Sequence, residues 1–141
     1  MTVEKGFKIL DHTADIGIAA YGADIKDLFI NAATGLFSLM VDLNTVKEDT
    51  EREVKLTAED EETLLVEWLN ELIYIFEVEH LLFKRFQIDE LNGNHVKARC
   101  FGEKVDRSRH RLKGAIKAAT YHMLRITKSD TGYEVTVIFD I

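Results

Sequence analysis

The chain has one cysteine and no proline, and these absences limit what it can be. The single Cys100 excludes an intramolecular disulfide framework and a cysteine-based zinc site. No low-complexity or proline-rich stretch marks a linker, so we predict one domain over residues 1–141. No apolar run approaches the roughly 20 residues of a membrane span, and the first residues lack a signal-peptide pattern. The sequence therefore predicts a soluble cytoplasmic protein with a reduced thiol.

The charged residues are unevenly distributed along a chain whose net charge is −7. Residues 1–80 carry 18 acidic and 6 basic residues, whereas residues 81–141 carry 7 acidic and 12 basic residues. The basic residues concentrate in a stretch from Lys104 to Lys128. Such a stretch is typical of a polar partner, either nucleic acid or an acidic protein surface, but also of a solvated loop beside acidic helices. No RNA-recognition aromatic motif or glycine-rich phosphate loop accompanies it.

The hydrophobic pattern predicts an α+β fold, in which two helices pack on a mostly antiparallel β-sheet in a single compact domain. Asp24 is the predicted N-cap of a helix that ends near residue 41, and Asp60 is the predicted N-cap of a second helix. Asn92-Gly93-Asn94 predicts a hairpin turn. We expect a mobile surface loop at residues 103–113. The predicted strands are residues 6–10, 16–21, 52–57, 82–91, 95–101, 121–127 and 133–139.

A polar cluster interrupts the apolar pattern near the start of the chain. Asp11, His12, Thr13 and Asp15 fall within five residues, between two apolar runs. In a structural interpretation, the side chains of Asp11 and Thr13 accept backbone N–H groups in a tight turn. That interpretation does not account for Asp15, because two neighbouring carboxylates raise each other's pKa unless a cation neutralises them.

The other end of the chain adds further carboxylates. An apolar run stops at Asp140, and Ile141 carries the last carboxylate of the chain one residue later. If the two ends meet in the fold, Asp15, Asp140 and the carboxylate of Ile141 form a set of hard oxygen ligands. Ca²⁺, Mg²⁺ and Mn²⁺ prefer such ligands. We therefore predict an open divalent metal site, suited to reversible delivery of an ion, on Asp15, Asp140 and Ile141.

Two histidines have several interpretations. His12 could ligate the metal, act as a general base or donate to a neighbouring carboxylate, which is the commonest role of a lone histidine in a turn. His122 is expected on one strand face with Thr120 and Leu124, close in sequence to Lys117. The alternative for His122 is a purely structural role, in which its side chain forms a hydrogen-bonded pair across two neighbouring strands.

Nucleophilic chemistry has little support in the sequence. Cys100 lies within a predicted strand without a neighbouring base, so we expect a small buried residue. Ser38, Ser108 and Ser129 match no catalytic pattern. The sequence therefore contains no convincing enzyme signature.

Taken together, these elements resemble the archease family. No single motif is decisive, but their order and spacing cover nearly the whole chain. The resemblance rests on residues 11–17 (DHTADIG), 20–22 (AYG), 64–72 (LLVEWLNEL), 117–122 (KAATYH) and the terminal pair 140–141 (DI).

The resemblance implies a non-enzymatic protein cofactor of the tRNA-splicing RNA ligase, which joins a 2′,3′-cyclic phosphate or 3′-phosphate end to a 5′-hydroxyl. Such a protein promotes guanylylation of the active-site histidine of the ligase, supports multiple turnover and broadens nucleotide usage. The resemblance also implies metal ligation by Asp15, Asp140 and Ile141, with Asp11 and His12 as supports. Lys117, Thr120 and His122 would belong to a signature surface.

The mechanism expected from both lines of reasoning is that a carboxylate-held ion is presented to the ligase, while an acidic face docks on its RNA-binding surface. Any RNA contact of the chain itself is expected to be weak or indirect. Two other classes remain open. One is a small metal-dependent phosphoesterase that uses Asp11, Asp15, Asp140 and a histidine. The other is a chaperone-like protein-binding module without a metal.

Overall fold

The structure is a computed structural model that describes residues 6–11 and 15–141. His12, which was predicted to support the metal site, lies outside these residues. A single 3₁₀ turn, Leu43–Thr45, follows the first helix. The helices and strands in this part of the chain are β1 (Phe7–Asp11), β2 (Ile16–Gly22), α1 (Ile25–Met40), β3 (Thr50–Thr57), α2 (Glu61–Glu79), β4 (Leu81–Asn92), β5 (His95–Lys104), β6 (Ala118–Ala119), β7 (Ile126–Ser129) and β8 (Gly132–Asp140).

Both helices begin at the aspartates that the sequence predicts. The carboxylate of Asp24 accepts a hydrogen bond from the N–H of Asp27 at 2.8 Å, and Asp60 accepts one from Thr63 at 2.8 Å. Each bond satisfies a backbone donor that has no partner inside its own helix. The two predicted helices are therefore confirmed, at Ile25–Met40 and Glu61–Glu79.

The strands form two antiparallel sheets. The first sheet has the order β1-β2-β8-β6, and β7 also pairs with β8. The second sheet has the order β3-β5-β4, in which β4 and β5 form the hairpin predicted from Asn92-Gly93-Asn94. The α+β class is confirmed, although the strands divide into two sheets rather than one.

The predicted strand at residues 121–127 is wrong except at its last two residues, Ile126 and Thr127, which begin β7. β6 and β7 both pair with β8, at Ala119↔Phe139 and Ile126↔Val135. Six residues, Thr120 to Arg125, connect these two pairs on one side, whereas only three residues of β8, 136–138, lie between them on the other side. The surplus residues leave the sheet in a turn, closed by a hydrogen bond from the N–H of Leu124 to the carbonyl of Tyr121 at 3.1 Å. Alternating polarity therefore does not put Thr120, His122 and Leu124 on one strand face.

Helix α1 joins the two sheets, since it contacts β2 of the first sheet and β4 of the second. Gly35 allows the close approach to the first sheet, because a methyl group at this position would lie 3.1 Å from Ile18 Cδ1 and 3.2 Å from the ring of Phe7. The indole of Trp68 on α2 donates to the carbonyl of Phe29 on α1 at 3.0 Å in the buried core. In the described part of the chain, no helix is both long and apolar enough to cross a membrane.

Candidate functional site

The predicted metal ligands lie at one end of the first sheet. Strand β2 pairs with β8 from Ile16↔Phe139 onward. Asp15 precedes Ile16, and Asp140 follows Phe139, so both aspartates adjoin the last pair at the same end of the two strands. Ile141, the next residue, is 55% exposed. Asp15 and the last two residues therefore share this end of the sheet, which is a condition of the predicted metal site.

The carboxylates of Asp15 and Asp140 have no internal partners among residues 6–11 and 15–141. No described side chain forms an ion pair within 4.0 Å with either carboxylate. Asp140 is exposed, and Asp15 is partly buried. Two aspartates and a terminal carboxylate supply only hard oxygen donors, the ligand type that Ca²⁺, Mg²⁺ and Mn²⁺ prefer. The residues present therefore fit such an ion, although its binding stays a prediction.

Asp11 belongs to the neighbouring strand. It ends β1, where it pairs with Ile16 of β2. Within the residues that the structure describes, no group of three or more histidine, cysteine, aspartate or glutamate side chains could hold a metal. The predicted site thus depends on the main-chain carboxylate of Ile141 as well as on side chains.

The segment of Lys117, Thr120 and His122 passes beside this end of the sheet. The N–H of Lys117 donates to the carbonyl of Asp140 at 2.8 Å, and Ala118 pairs with Asp140. The hydroxyl of Thr120 donates to the carbonyl of Ile138 at 2.8 Å. His122 lies in the exposed turn beyond β6. Lys117 is therefore adjacent to the predicted metal ligands, whereas His122 follows the point at which the chain leaves the sheet.

Asn70 of α2 fixes β6, a role that sequence reasoning missed. Its carboxamide oxygen accepts from the N–H of Ala119 at 2.8 Å, and its Nδ2 donates to the carbonyl of the same residue at 3.2 Å. The side chain thus binds Ala119 as a neighbouring strand would. The sequence contains one signal for this role. Asparagine is unfavourable inside a helix unless its side chain has a partner, and Asn70 lies beside the apolar stripe of α2.

A second cluster of charged residues, also missed, is buried where β5 ends. Glu103 is only 6% exposed and His110 only 4%. Two nitrogens of the Arg109 guanidinium donate to the Glu103 carboxylate, at 2.6 and 2.9 Å. The N–H of Lys47 donates to it at 2.7 Å, and His110 Nε2 lies 2.9 Å from it. Hydrogen bonding from Arg109 is the main reason why the pKa of Glu103 falls from 4.5 to about 2.

This Glu103 cluster corrects the prediction of a mobile loop at residues 103–113. His110 Nδ1 accepts from the N–H of Asp106 at 2.9 Å, so the imidazole proton is on Nε2. That nitrogen also lies 3.1 Å from the carbonyl of Thr45, to which Arg109 donates at 2.9 Å. The segment is therefore held against the chain that follows α1. Sequence proximity alone could not reveal this, because Thr45 and Lys47 are distant along the chain.

Cys100 is buried on β5, as the sequence predicts. Burial raises the pKa of its thiol to about 12. Because the thiolate is the reactive form of cysteine, Cys100 is a poor candidate for a nucleophile.

Comparison with known proteins identifies one family along the chain. The model of the "Archease protein family (MTH1598/TM1083)" matches residues 7–141. The protein archease of Methanosarcina mazei is 41% identical over 141 residues, with 97% of each chain covered. The solution structure of Methanobacterium thermoautotrophicum protein 1598 has 37% identity and a TM-score of 0.83, covering 97% of this chain and 99% of that one.

A more distant structure has the same fold. The crystal structure of an archease from Thermotoga maritima, described as a possible chaperone, has 24% identity and a TM-score of 0.66. The match covers 95% of this chain and 96% of that one.

Proposed function

Because the chain belongs to the archease family, we propose that it is a non-enzymatic activator of the tRNA-splicing RNA ligase. In this proposal it promotes guanylylation of the active-site histidine of the ligase and its multiple turnover during tRNA splicing. The chain acts in the cytoplasm and uses Ca²⁺, Mg²⁺ or Mn²⁺. Its partner is a protein, and any contact with RNA is weak or indirect.

The observation that supports this proposal best is the pairing of β2 with β8. Because Ile16 pairs with Phe139, Asp15 and Asp140 adjoin the same end of the first sheet, and Asp140 and Ile141 are exposed there. Internal partners of both side chains are absent from the described residues, so the carboxylates are available to a ligand. Carboxylates held close together are stabilised when a cation neutralises them.

The residues of the chain have distinct proposed roles. Asp15, Asp140 and Ile141 would hold the ion, supported by Asp11 and His12. A bound divalent ion supplies positive charge that stabilises the charge developing during nucleotidyl transfer. Lys117, exposed beside Asp140, would contact an anionic group of the partner complex. The acidic surface of residues 1–80 would dock on the RNA-binding surface of the ligase, so high salt should slow activation.

A ligase guanylylation assay with the purified chain tests the proposal. We expect Asp15→Ala and Asp140→Ala to lose most of the stimulation that the wild-type chain gives. The matched control is Asp130→Ala, which removes an exposed carboxylate at the β7–β8 turn. Circular dichroism checks that each variant is folded. Full stimulation by both test variants would remove the ion from the mechanism, and no stimulation by the wild type would overturn the activator role.

A chaperone-like protein-binding module is the second candidate. Exposed apolar side chains occur in neighbouring pairs on α2, where Tyr74 and Val78 are 58% and 55% exposed, and at the turn after β6, where Tyr121 and Met123 are 54% and 80% exposed. Exposed aromatic residues and methionine are enriched in protein interfaces. In this case Tyr74→Ser/Val78→Ser should impair partner binding, whereas Asp15→Ala should leave it unchanged.

A metal-dependent phosphoesterase is the third alternative, and a direct measurement separates it from the other two. The isolated chain would hydrolyse a phosphomonoester or RNA substrate in the presence of Mn²⁺ or Mg²⁺, and Asp15→Ala would abolish turnover. The activator proposal expects no turnover above that of the buffer.

A further inference from the structure

A cleft of about 420 Å³ lies beside the carboxyl end of α2, with none of the predicted metal ligands in its lining. Its volume falls within the range of small-molecule sites, about 300–1,000 Å³. Part of the basic stretch from Lys104 to Lys128 lines this cleft. The lining residues are Phe76, His80, Lys104, Val105, Arg107 and Leu112.

The rim of the cleft is cationic, because Lys104 and Arg107 are exposed there. Lys104 and Arg107 form no ion pair within 4.0 Å in residues 6–11 and 15–141. Lys104 lies close enough to Glu79 to lower the pKa of that carboxyl, but Glu79 is held mainly by Arg52, whose Nη2 lies 2.7 Å from Oε2. The two cations on the rim therefore keep free donors, and guanidinium and ammonium groups are the usual phosphate ligands of proteins.

The inner wall of the cleft is apolar. Phe76, Val105 and Leu112 are partly buried and pack against the hydrophobic core. An inorganic anion alone gains nothing from such a wall, whereas a ligand with a flat apolar body attached to its anionic group would contact both parts. Aromatic side chains bind nucleobases by stacking, whichever base is present.

The backbone around the cleft is fixed before any ligand binds. His80 ends α2 with φ 58°, a left-handed conformation usually taken by glycine or asparagine. Its carbonyl accepts from the N–H of Val105 at 2.9 Å. The turn that carries Arg107 is closed by the carbonyl of Asp106, which accepts from the N–H groups of Arg109 and His110. The Glu103 cluster holds that same turn, so the rim is preorganised, which lowers the entropic cost of binding.

From these features we propose that the cleft binds a phosphorylated nucleoside. Lys104 and Arg107 contact its phosphate, His80 donates a further hydrogen bond, and the base lies against the apolar wall of Phe76 and Leu112. The ligand is either a free nucleotide or the phosphorylated end of an RNA strand, which present the same chemistry. This proposal goes beyond ligase activation and does not depend on it.

Calorimetric titration of the full chain at low salt tests the proposal. The probes are the four ribonucleoside 5′-monophosphates, inorganic phosphate, adenosine, and a short RNA with a 5′-phosphate or a 5′-hydroxyl. We expect at least one phosphorylated nucleoside to bind with a Kd below about 1 mM, and adenosine and phosphate to bind more weakly. Binding of the monophosphates identifies free nucleotides as the source. Binding of the 5′-phosphorylated RNA alone identifies a strand end.

Two double variants separate a specific site from general attraction of anions. Lys104→Ala/Arg107→Ala should weaken binding at least about tenfold, because two charge-assisted contacts are lost. Arg111→Ala/Arg125→Ala removes the same charge outside the cleft lining and should weaken it by less than about twofold. Thermal unfolding confirms that both remain folded. Equal weakening by the two variants, or no binding of any phosphorylated probe at millimolar concentration, would overturn the proposal.

Discussion

The carboxylate of Glu103 has partners within the fold, whereas the carboxylates of Asp15 and Asp140 at the end of the first sheet do not have ion-pair partners among the described residues. Glu103 is buried and accepts hydrogen bonds from Arg109 and from the N–H of Lys47, with His110 at 2.9 Å. Asp15 and Asp140 have no ion-pair partner in the part of the chain that the structure describes. A buried charge must be matched within the fold, whereas a charge near water can be left for a ligand. The first arrangement stabilises the fold, and the second suits binding.

Replacing Glu103 tests the stabilising half of this comparison and should have the largest effect. Glu103→Gln keeps the shape but leaves the donors of Arg109 and Lys47 with a weaker acceptor. We expect the free energy of unfolding to fall by about 2–4 kcal/mol, measured by urea denaturation. The exposed Asp140→Asn is the control and should change it by less than about 0.5 kcal/mol. Similar losses in both variants would contradict the distinction.

Adding a divalent ion tests the binding half. An ion that binds only the folded chain stabilises it by about 2.7 kcal/mol when its concentration is 100 times its Kd. Wild-type chain should therefore unfold at higher temperature with Ca²⁺, Mg²⁺ or Mn²⁺, whereas Asp15→Asn/Asp140→Asn should not respond.

The control for the ion experiment is Asp130→Asn/Glu134→Gln, which removes two exposed carboxylates elsewhere and should retain the response. One extra residue after Ile141 moves the terminal carboxylate and should weaken ion binding in calorimetry. An unchanged response in Asp15→Asn/Asp140→Asn would place the ion at another site.

Asn70 extends the comparison to an uncharged side chain whose donor and acceptor both have hydrogen-bond partners within the fold. Asn70→Leu removes both hydrogen bonds to Ala119, and we expect a loss of about 1–2 kcal/mol in unfolding free energy. The amide of Ala119 should also exchange faster with solvent. Unchanged exchange would mean that the pairing of β6 with β8 holds the segment without Asn70.

A change of pH near neutrality should have the smallest effect of these tests on the free energy of unfolding. The pKa of Glu103 is about 2 in the folded chain, below its ordinary value of 4.5. Its contribution is therefore complete above pH 4.5 and is lost as the pH falls towards 2. The difference in unfolding free energy between wild type and Glu103→Gln should shrink by less than about 1 kcal/mol down to pH 4, and faster below it. A constant difference would show that Glu103 does not titrate with folding.

Local signals in the sequence predicted most of the elements. Asp24 and Asp60 fix the helix starts because a capping side chain acts within three residues, and Gly93 marks the β4–β5 hairpin in the same local way. These features depend on contacts between neighbours in sequence or on simple burial.

The remaining features depend on contacts between distant residues. Alternation after Thr120 suggested a continuous strand, but the register of β8 leaves room for only part of it. The bonds of Asn70 to Ala119 and of Glu103 to Lys47 join parts of the chain 49 and 56 residues apart. The period of the hydrophobic pattern within a segment does not indicate which distant residue a side chain will contact. The proximity of Asp15 to Asp140, a condition of the predicted metal site, depends on the pairing of the distant residues Ile16 and Phe139. Metal binding by these aspartates and Ile141 stays a prediction, and His12, one of its two predicted supports, lies outside the described residues.

The burial of Cys100 makes the chain convenient for spectroscopy. Since its thiol is inaccessible and its pKa is about 12, maleimide reagents should leave it unmodified in the native state. A cysteine introduced at an exposed position, such as Asp130→Cys, can then carry a fluorophore or spin label without replacement of the natural thiol. Distances from that label to a partner would map the bound orientation of the protein.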